Sequence, residues 1–184
     1  MKLILVRHGQ TDWAEKRYQG ITDIELSKGG IEQAIRIAER LKKEKIDVAY
    51  TSRLKRAIQT AKEIVKSHKI RLIKTGILNE RSYGRWAGLT KKEVEERYPV
   101  DYLNYKKDKY KIKPTKGESL FELRKRIEPF IKEIIRENSG KTALVIAHNG
   151  PLRIIIGILN NYNGKKIASL HLKPASLTII KIAE

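Results

Sequence analysis

Lys2-Leu3-Ile4-Leu5-Val6-Arg7-His8-Gly9-Gln10-Thr11 opens on four consecutive aliphatic residues and closes on a cation, an imidazole and a glycine. An unbroken apolar run suits a strand buried on both faces. Its polar end followed by glycine suits a strand that feeds a loop at the edge of a parallel sheet. Chemistry is therefore expected at its carboxyl end, around His8. The same pattern returns far along the chain, where Thr142 to His148 runs through Ala143, Leu144, Val145, Ile146 and Ala147 before Asn149-Gly150-Pro151. Two candidate strands that each end in histidine form the first functional signal.

Helical periodicity fills the space between them. Ser27 can cap a helix whose Ile31, Ala34, Ile35, Ala38 and Leu41 recur at three- and four-residue spacing. Val48 to Ser52 reads as a strand, and a helix from about 54 to 67 carries the stripe Ala57, Ile58, Ala61, Ile64, Val65. A third strand is expected over 70–78, a helix over about 119–137, a helix over about 151–159 and a last strand over 176–182. Strands alternating with amphipathic helices predict one α/β domain over 1–184, a three-layer α/β/α sandwich with a mostly parallel central sheet. Ligands of such sheets bind beyond the carboxyl ends of the strands. Residues 80–116 break the rhythm with Gly84, Gly88, Pro99 and Pro114, a short polar helix near 91–98 and a lysine-tyrosine stretch over 102–113. They read as a small lid insertion.

Composition narrows the function. The 184 residues contain no cysteine, so disulfides and thiolate metal sites are excluded, which suits a cytoplasmic location. Met1 to Val6 runs straight into Arg7 without the features of a signal peptide, and no apolar run is long enough to cross a membrane. A formal charge of +19 attracts anions of every kind. Lysine and arginine are interleaved with glutamate over 38–45 and 91–97, which points to solvated helix faces. One methionine, no cysteine and abundant charge fit a thermostable protein. Four histidines without His-x-x-x-His spacing predict no metal site and no cofactor.

A phosphoryl group in transfer spreads negative charge over three oxygens, so a metal-free enzyme needs fixed cations around one nucleophile. Neutral imidazole attacks phosphorus when one ring nitrogen is held protonated and the other presents its lone pair. His8 is the candidate nucleophile, with Arg7, Arg56 and His148 as candidate donors. Activity is expected to decline below about pH 6 as the nucleophilic imidazole protonates. Glu80, at an expected strand end, is the candidate that gives a proton to the leaving oxygen and takes one from the attacking water.

The residues resemble the histidine phosphatase, or phosphoglycerate-mutase-like, family in four segments that occur in order. Leu5 to Thr11 is similar to its Arg-His-Gly signature, and Thr51-Ser52-Arg53-Leu54-Lys55-Arg56-Ala57-Ile58-Gln59-Thr60-Ala61 to its second motif. Leu78 to Thr90 resembles its acid loop, and Ala147 to Arg153 its second histidine motif. The resemblance implies His8 as the phosphorylated nucleophile, Glu80 as acid and base, and Arg7, Arg56 and His148 as the phosphate clamp. It also implies substrate contacts from Thr11, Gln19, Gly20, Tyr83 and Asn149, and a sheet of six strands. Two departures stand out. Ala14 replaces an asparagine frequent in the family, and Asn149 follows His148 where glycine is frequent.

The short chain and Gly117-Glu118-Ser119-Leu120 favour the phosphatase branch over a phosphoglycerate mutase, although Arg81, Tyr83 and Lys91 would suit either. Lys106, Lys107, Lys109, Lys111 and Lys113 are expected as a cationic rim or as a solvated run. With Tyr98, Tyr102, Tyr105 and Tyr110 they also suggest single-stranded nucleic acid, a reading ranked below a small phosphorylated substrate. His68 and His171 are assigned to structure. Oligomeric state is not legible.

Overall fold

The computed structural model describes residues 1–183. Five strands form its sheet: β1 (Lys2–Arg7), β2 (Val48–Ser52), β3 (Leu72–Thr75), β4 (Thr142–Ala147) and β5 (Leu177–Lys181). Their order is β3-β2-β4-β1-β5, parallel throughout except that β5 runs antiparallel to β1. The sheet has five strands among the described residues, where the family resemblance implied six.

Alternation along the central strands divides the core. Leu3, Leu5, Ala143 and Val145 point to one face, beneath α5 (Leu120–Glu137) and α6 (Asn149–Leu159), where Leu123, Ile127, Ile131, Leu152 and Ile155 complete the layer. Ile4, Val6, Leu144 and Ile146 point to the other, beneath α1 (Lys28–Leu41) and α2 (Lys55–Val65), where Ile37, Leu41, Ala57, Ala61 and Ile64 meet them. All these strand residues are fully buried. This is the expected three-layer sandwich. Ser27 caps α1 as predicted, its side chain accepting from the Gly30 amide at 3.1 Å.

The third strand is shorter than expected. Its apolar run continues to Leu78, but Thr75 caps a 3-10 turn over Gly76–Leu78, accepting from the Ile77 amide at 3.2 Å, and pairing stops. Helix α6 starts earlier than expected, at Asn149. Its opening amides need no helical partner, so Pro151 in the first turn does not delay it. Helix α7 (Gly164–Ser169) was not anticipated.

The insertion folds around a core of its own. Helices α3 (Lys91–Arg97) and α4 (Pro99–Lys107) enclose Trp86, Val94, Tyr102 and Tyr105, with Tyr18, Tyr83, Leu89, Tyr98 and Ile112 packed around them. Thr90 and Glu93 form a capping box at the start of α3, so the turn entering the insertion is fixed by reciprocal hydrogen bonds. Tyr102, Tyr105 and Tyr110 are buried, so they offer no face on which bases could stack. Lys106, Lys107, Lys109 and Lys111 border a separate groove against α7, and Lys113 pairs with Glu122 at 2.6 Å. They do not form a rim of the cavity described below. Among the described residues no helix is long and apolar enough to cross a membrane.

Trp86 is fully buried at the centre of the insertion's core. Trp86→Ala is expected to cost about 3–5 kcal/mol, read as a lower urea midpoint with the sheet's circular dichroism retained in native buffer.

Candidate active site

Register decides which residues meet. Arg7 on β1 lies opposite Ala147 on β4, so the next residues, His8 and His148, emerge side by side with ring centroids 4.9 Å apart. β2 pairs with the other edge of β4, and Ser52 at its end places Oγ 2.7 Å from His148 Nε2. Helix α2 follows at once and delivers Arg56 from its first turn.

Partners determine the tautomer of His8. Its Nδ1 lies 2.7 Å from the Gly9 carbonyl, which can only accept, so Nδ1 carries the proton. Its Nε2 lies 3.3 Å from Arg56 Nε, which can only donate, so Nε2 carries the lone pair. Arg56 is itself fixed by the carbonyls of Gly20 and Thr22, each at 2.7 Å. The peptide after His8 is fixed as well. The Gly9 amide donates to Thr60 Oγ1 at 3.1 Å, and a Cβ on Gly9 would come within 2.4 Å of the Gly30 carbonyl.

Glu80 enters from the loop after the 3-10 turn. Its Oε1 accepts from the Arg81 amide at 2.9 Å and its Oε2 from the Gly150 amide at 3.2 Å, at the start of α6. A Cβ on Gly150 would stand 2.1 Å from Oε1, so any side chain there must push the Glu80 carboxylate aside. Arg126 on α5 braces the same loop from below, donating to the Asn79 carbonyl at 2.8 Å and to Glu118 at 2.9 and 3.0 Å.

Arg7, His8, Gln19, Gly20, Arg56, Glu80, Tyr83 and Asn149, all anticipated from the sequence, line one cavity of about 300 Å³. His148 stands directly behind His8, fully buried, its Nδ1 without a partner among the described residues. Thr11 is buried outside the lining and its Oγ1 has no partner among the described residues. Ala14 is also buried and adds nothing to the wall. Asn149 has a second task, since its Oδ1 accepts from the Leu172 amide at 3.0 Å.

Several residues were missed. Glu15 and Lys16 line the outer cavity, and so does His171, which the sequence assigned to structure; Lys91, which the sequence had offered for either branch, lines it too. Arg81 is fully buried, its guanidinium stacked 4.5 Å above the Tyr83 ring and its Nη2 donating to the Tyr105 hydroxyl at 2.6 Å. The Tyr83-Gly84-Arg85-Trp86 stretch and the tyrosines of the insertion were the available signal, but stacking across sequence distance is not periodic. Among the described residues no group of three His, Asp or Glu is placed to hold a metal ion.

The electrostatics suit an anion. Burial, then the charges of Arg56 and Arg7, hold the His8 imidazolium pKa well below its ordinary value. Burial, Arg56 and His8 do the same to His148. Burial also pulls Arg56 down to about 10 and lowers Arg7, with Glu80 the largest opposing charge on each. Two desolvated guanidiniums and the neutral imidazole of His8, with His148 packed behind it, thus meet at a space whose charge a phosphate dianion would compensate. The expected decline below about pH 6 is corrected by this burial, since His8 stays neutral to lower pH.

A family model described as histidine phosphatase superfamily (branch 1) matches residues 3–184. Phosphoserine phosphatase 1 of Hydrogenobacter thermophilus is 35% identical over 100% of this chain and 88% of its own length. A 2,3-bisphosphoglycerate-dependent phosphoglycerate mutase of Bartonella tribocorum is 36% identical over 92% of this chain and 86% of its own. The crystal structure of an alpha-ribazole phosphatase from Shigella flexneri superposes with a TM-score of 0.91, at 25% identity, over 100% of this chain and 92% of that one.

Two expectations follow from the geometry. Gly150→Ala displaces the Glu80 carboxylate and is expected to lower kcat on an aryl phosphate by about 100-fold while thermal unfolding stays cooperative. His8 and His148 take up protons in the unfolded chain near pH 6.5 but only at lower pH when folded. The unfolded state therefore binds more protons below that point, and the urea midpoint should fall on acidification from pH 7.5 to 5.5.

Proposed function

Because the chain belongs to the histidine phosphatase superfamily (branch 1), we propose that it is a phosphomonoester hydrolase working through a phosphohistidine on His8. The observation that carries the reading is the His8 tautomer, a lone pair on Nε2 facing a cavity walled by Arg7 and Arg56.

In the first half-reaction the Nε2 lone pair attacks phosphorus, the ester P–O bond breaks, and Glu80 hands its proton to the departing alkoxide. Arg7 and Arg56 hold the equatorial oxygens as charge develops on them. His148, packed against His8 with ring centroids 4.9 Å apart, is the further candidate donor to those oxygens, and a proton given by Ser52 Oγ to its Nε2 would leave the ring proton on Nδ1. In the second half-reaction water attacks the phosphohistidine, its proton passes to Glu80, the P–N bond breaks, and inorganic phosphate leaves. No step calls for a metal. Gln19, Gly20, Tyr83 and Asn149 contribute to the substrate wall. The partner is a small phosphorylated molecule, and the absence of cysteine suits the cytoplasm.

A mutase would pass the phosphoryl group from His8 to a second hydroxyl instead of water. The mutase relative supports keeping that arm in the assay. The phosphatase relative, which this chain matches over its full length, supports hydrolysis.

Wild-type protein is expected to hydrolyse p-nitrophenyl phosphate in excess chelator, and His8→Ala to lose about 10³-fold or more in kcat. Acid-stable label on His8 would be absent, because phosphohistidine is lost in acid and retained in base. Base-quenched reactions should therefore carry the phosphoryl group on His8. Phosphoglycerate should yield inorganic phosphate faster than its isomer.

A further inference from the structure

The outer half of the cavity carries charge that the chemistry at His8 does not use. Glu15 adopts φ of 64°, a left-handed backbone that places a non-glycine residue under strain at the cavity wall. Its Oε1 lies 3.3 Å from His171 Nε2. His171 in turn is carried by a segment tied to the inner site. The Leu172 amide donates to Asn149 Oδ1 at 3.0 Å, and the Leu172 carbonyl accepts from Arg7 Nη1. The carboxylate at the mouth is thereby indexed to the residues that hold phosphate.

Its cationic neighbours differ in how free they are. Arg17 is engaged, donating to the Gly88 carbonyl at 2.7 Å and to Glu93 at 3.2 Å. Lys91 pairs with Glu95 at 3.7 Å. Lys16 lines the same wall, is exposed, and forms no ion pair among the described residues. The mouth is thus lined by one carboxylate, in contact with His171, and by the ammonium of the next residue in the chain, outside a strongly cationic inner end.

Resting on the reading that His8 opens phosphomonoesters, we infer that this mouth selects a leaving alcohol bearing both an ammonium and a carboxylate, a phosphorylated hydroxy amino acid. Glu15 takes the substrate's ammonium group and Lys16 its carboxylate. A substrate whose outer end is only anionic meets Glu15 with repulsion, and a bisphosphate, bringing a second dianion, meets more of it. Glu15 also lies close enough to Arg7 for its charge to favour the protonated guanidinium, so it belongs to the electrostatics of the whole cavity.

The test compares kcat/KM for O-phosphoserine, phosphoethanolamine, 3-phosphoglycerate and p-nitrophenyl phosphate in wild type, Glu15→Gln and Lys16→Met at low salt. Wild type should prefer phosphoserine. Glu15→Gln should lower the phosphoserine to phosphoglycerate ratio about tenfold, and the phosphoethanolamine to phosphoglycerate ratio similarly. Lys16→Met should lower the phosphoserine to phosphoethanolamine ratio instead. Ratios unchanged by both substitutions would overturn the selectivity proposal while wild-type turnover of p-nitrophenyl phosphate left the hydrolase reading standing. Wild type inactive on all four substrates would overturn the hydrolase reading and the selectivity built on it.

Discussion

One hydrogen bond organises the centre of this molecule, the one from His8 Nδ1 to the carbonyl of its own neighbour, Gly9. An imidazole buried among guanidiniums has no favourable charged form, and a neutral one has two tautomers. The Gly9 carbonyl selects the tautomer that leaves Nε2 unprotonated, and Arg56 Nε donates to its lone pair at 3.3 Å. The nucleophile is prepared before any substrate arrives, and the fold meets the cost of holding it.

Much of the surrounding architecture serves that arrangement. Gly9 can present its carbonyl because its backbone packs directly on Gly30 at the start of α1 and its amide is held by Thr60 on α2. Arg56 can face His8 because the Gly20 and Thr22 carbonyls take its terminal nitrogens. Glu80 can reach the cavity because Gly150 has no side chain and Arg126 holds the loop beneath it. Burial lowers the proton affinity of Arg7 and Arg56, two cations that line the same cavity. An anion relieves that arrangement, which is how binding energy becomes available for the transfer step.

The sandwich and the pairing of His8 with His148 were legible because they follow from local patterns: two unbroken aliphatic runs, each ending in histidine, with helical stripes between them. Boundaries were less legible. Ile73, Ile77 and Leu78 make 70–78 look continuous, and only the Thr75 cap reveals where pairing ends. Contacts between distant segments were not legible at all. Arg81 could be offered for the site from the sequence, but its enclosure by Tyr83 and Tyr105 could not. His171 looks structural until Asn149 and Arg7 draw its neighbour Leu172 to the cavity. Thr11 sits within the first motif and yet is not part of the cavity lining, since motif membership fixes position along the chain and not which side chains reach the cavity.

The central claim is the protonation state of one ring, and nitrogen-15 NMR of labelled histidine in the ligand-free protein at pH 7 reads it directly, with His8→Gln identifying the resonances. The account predicts a protonated, pyrrole-type Nδ1 and an unprotonated, pyridine-type Nε2 for His8. An imidazolium, or the proton on Nε2, would contradict it.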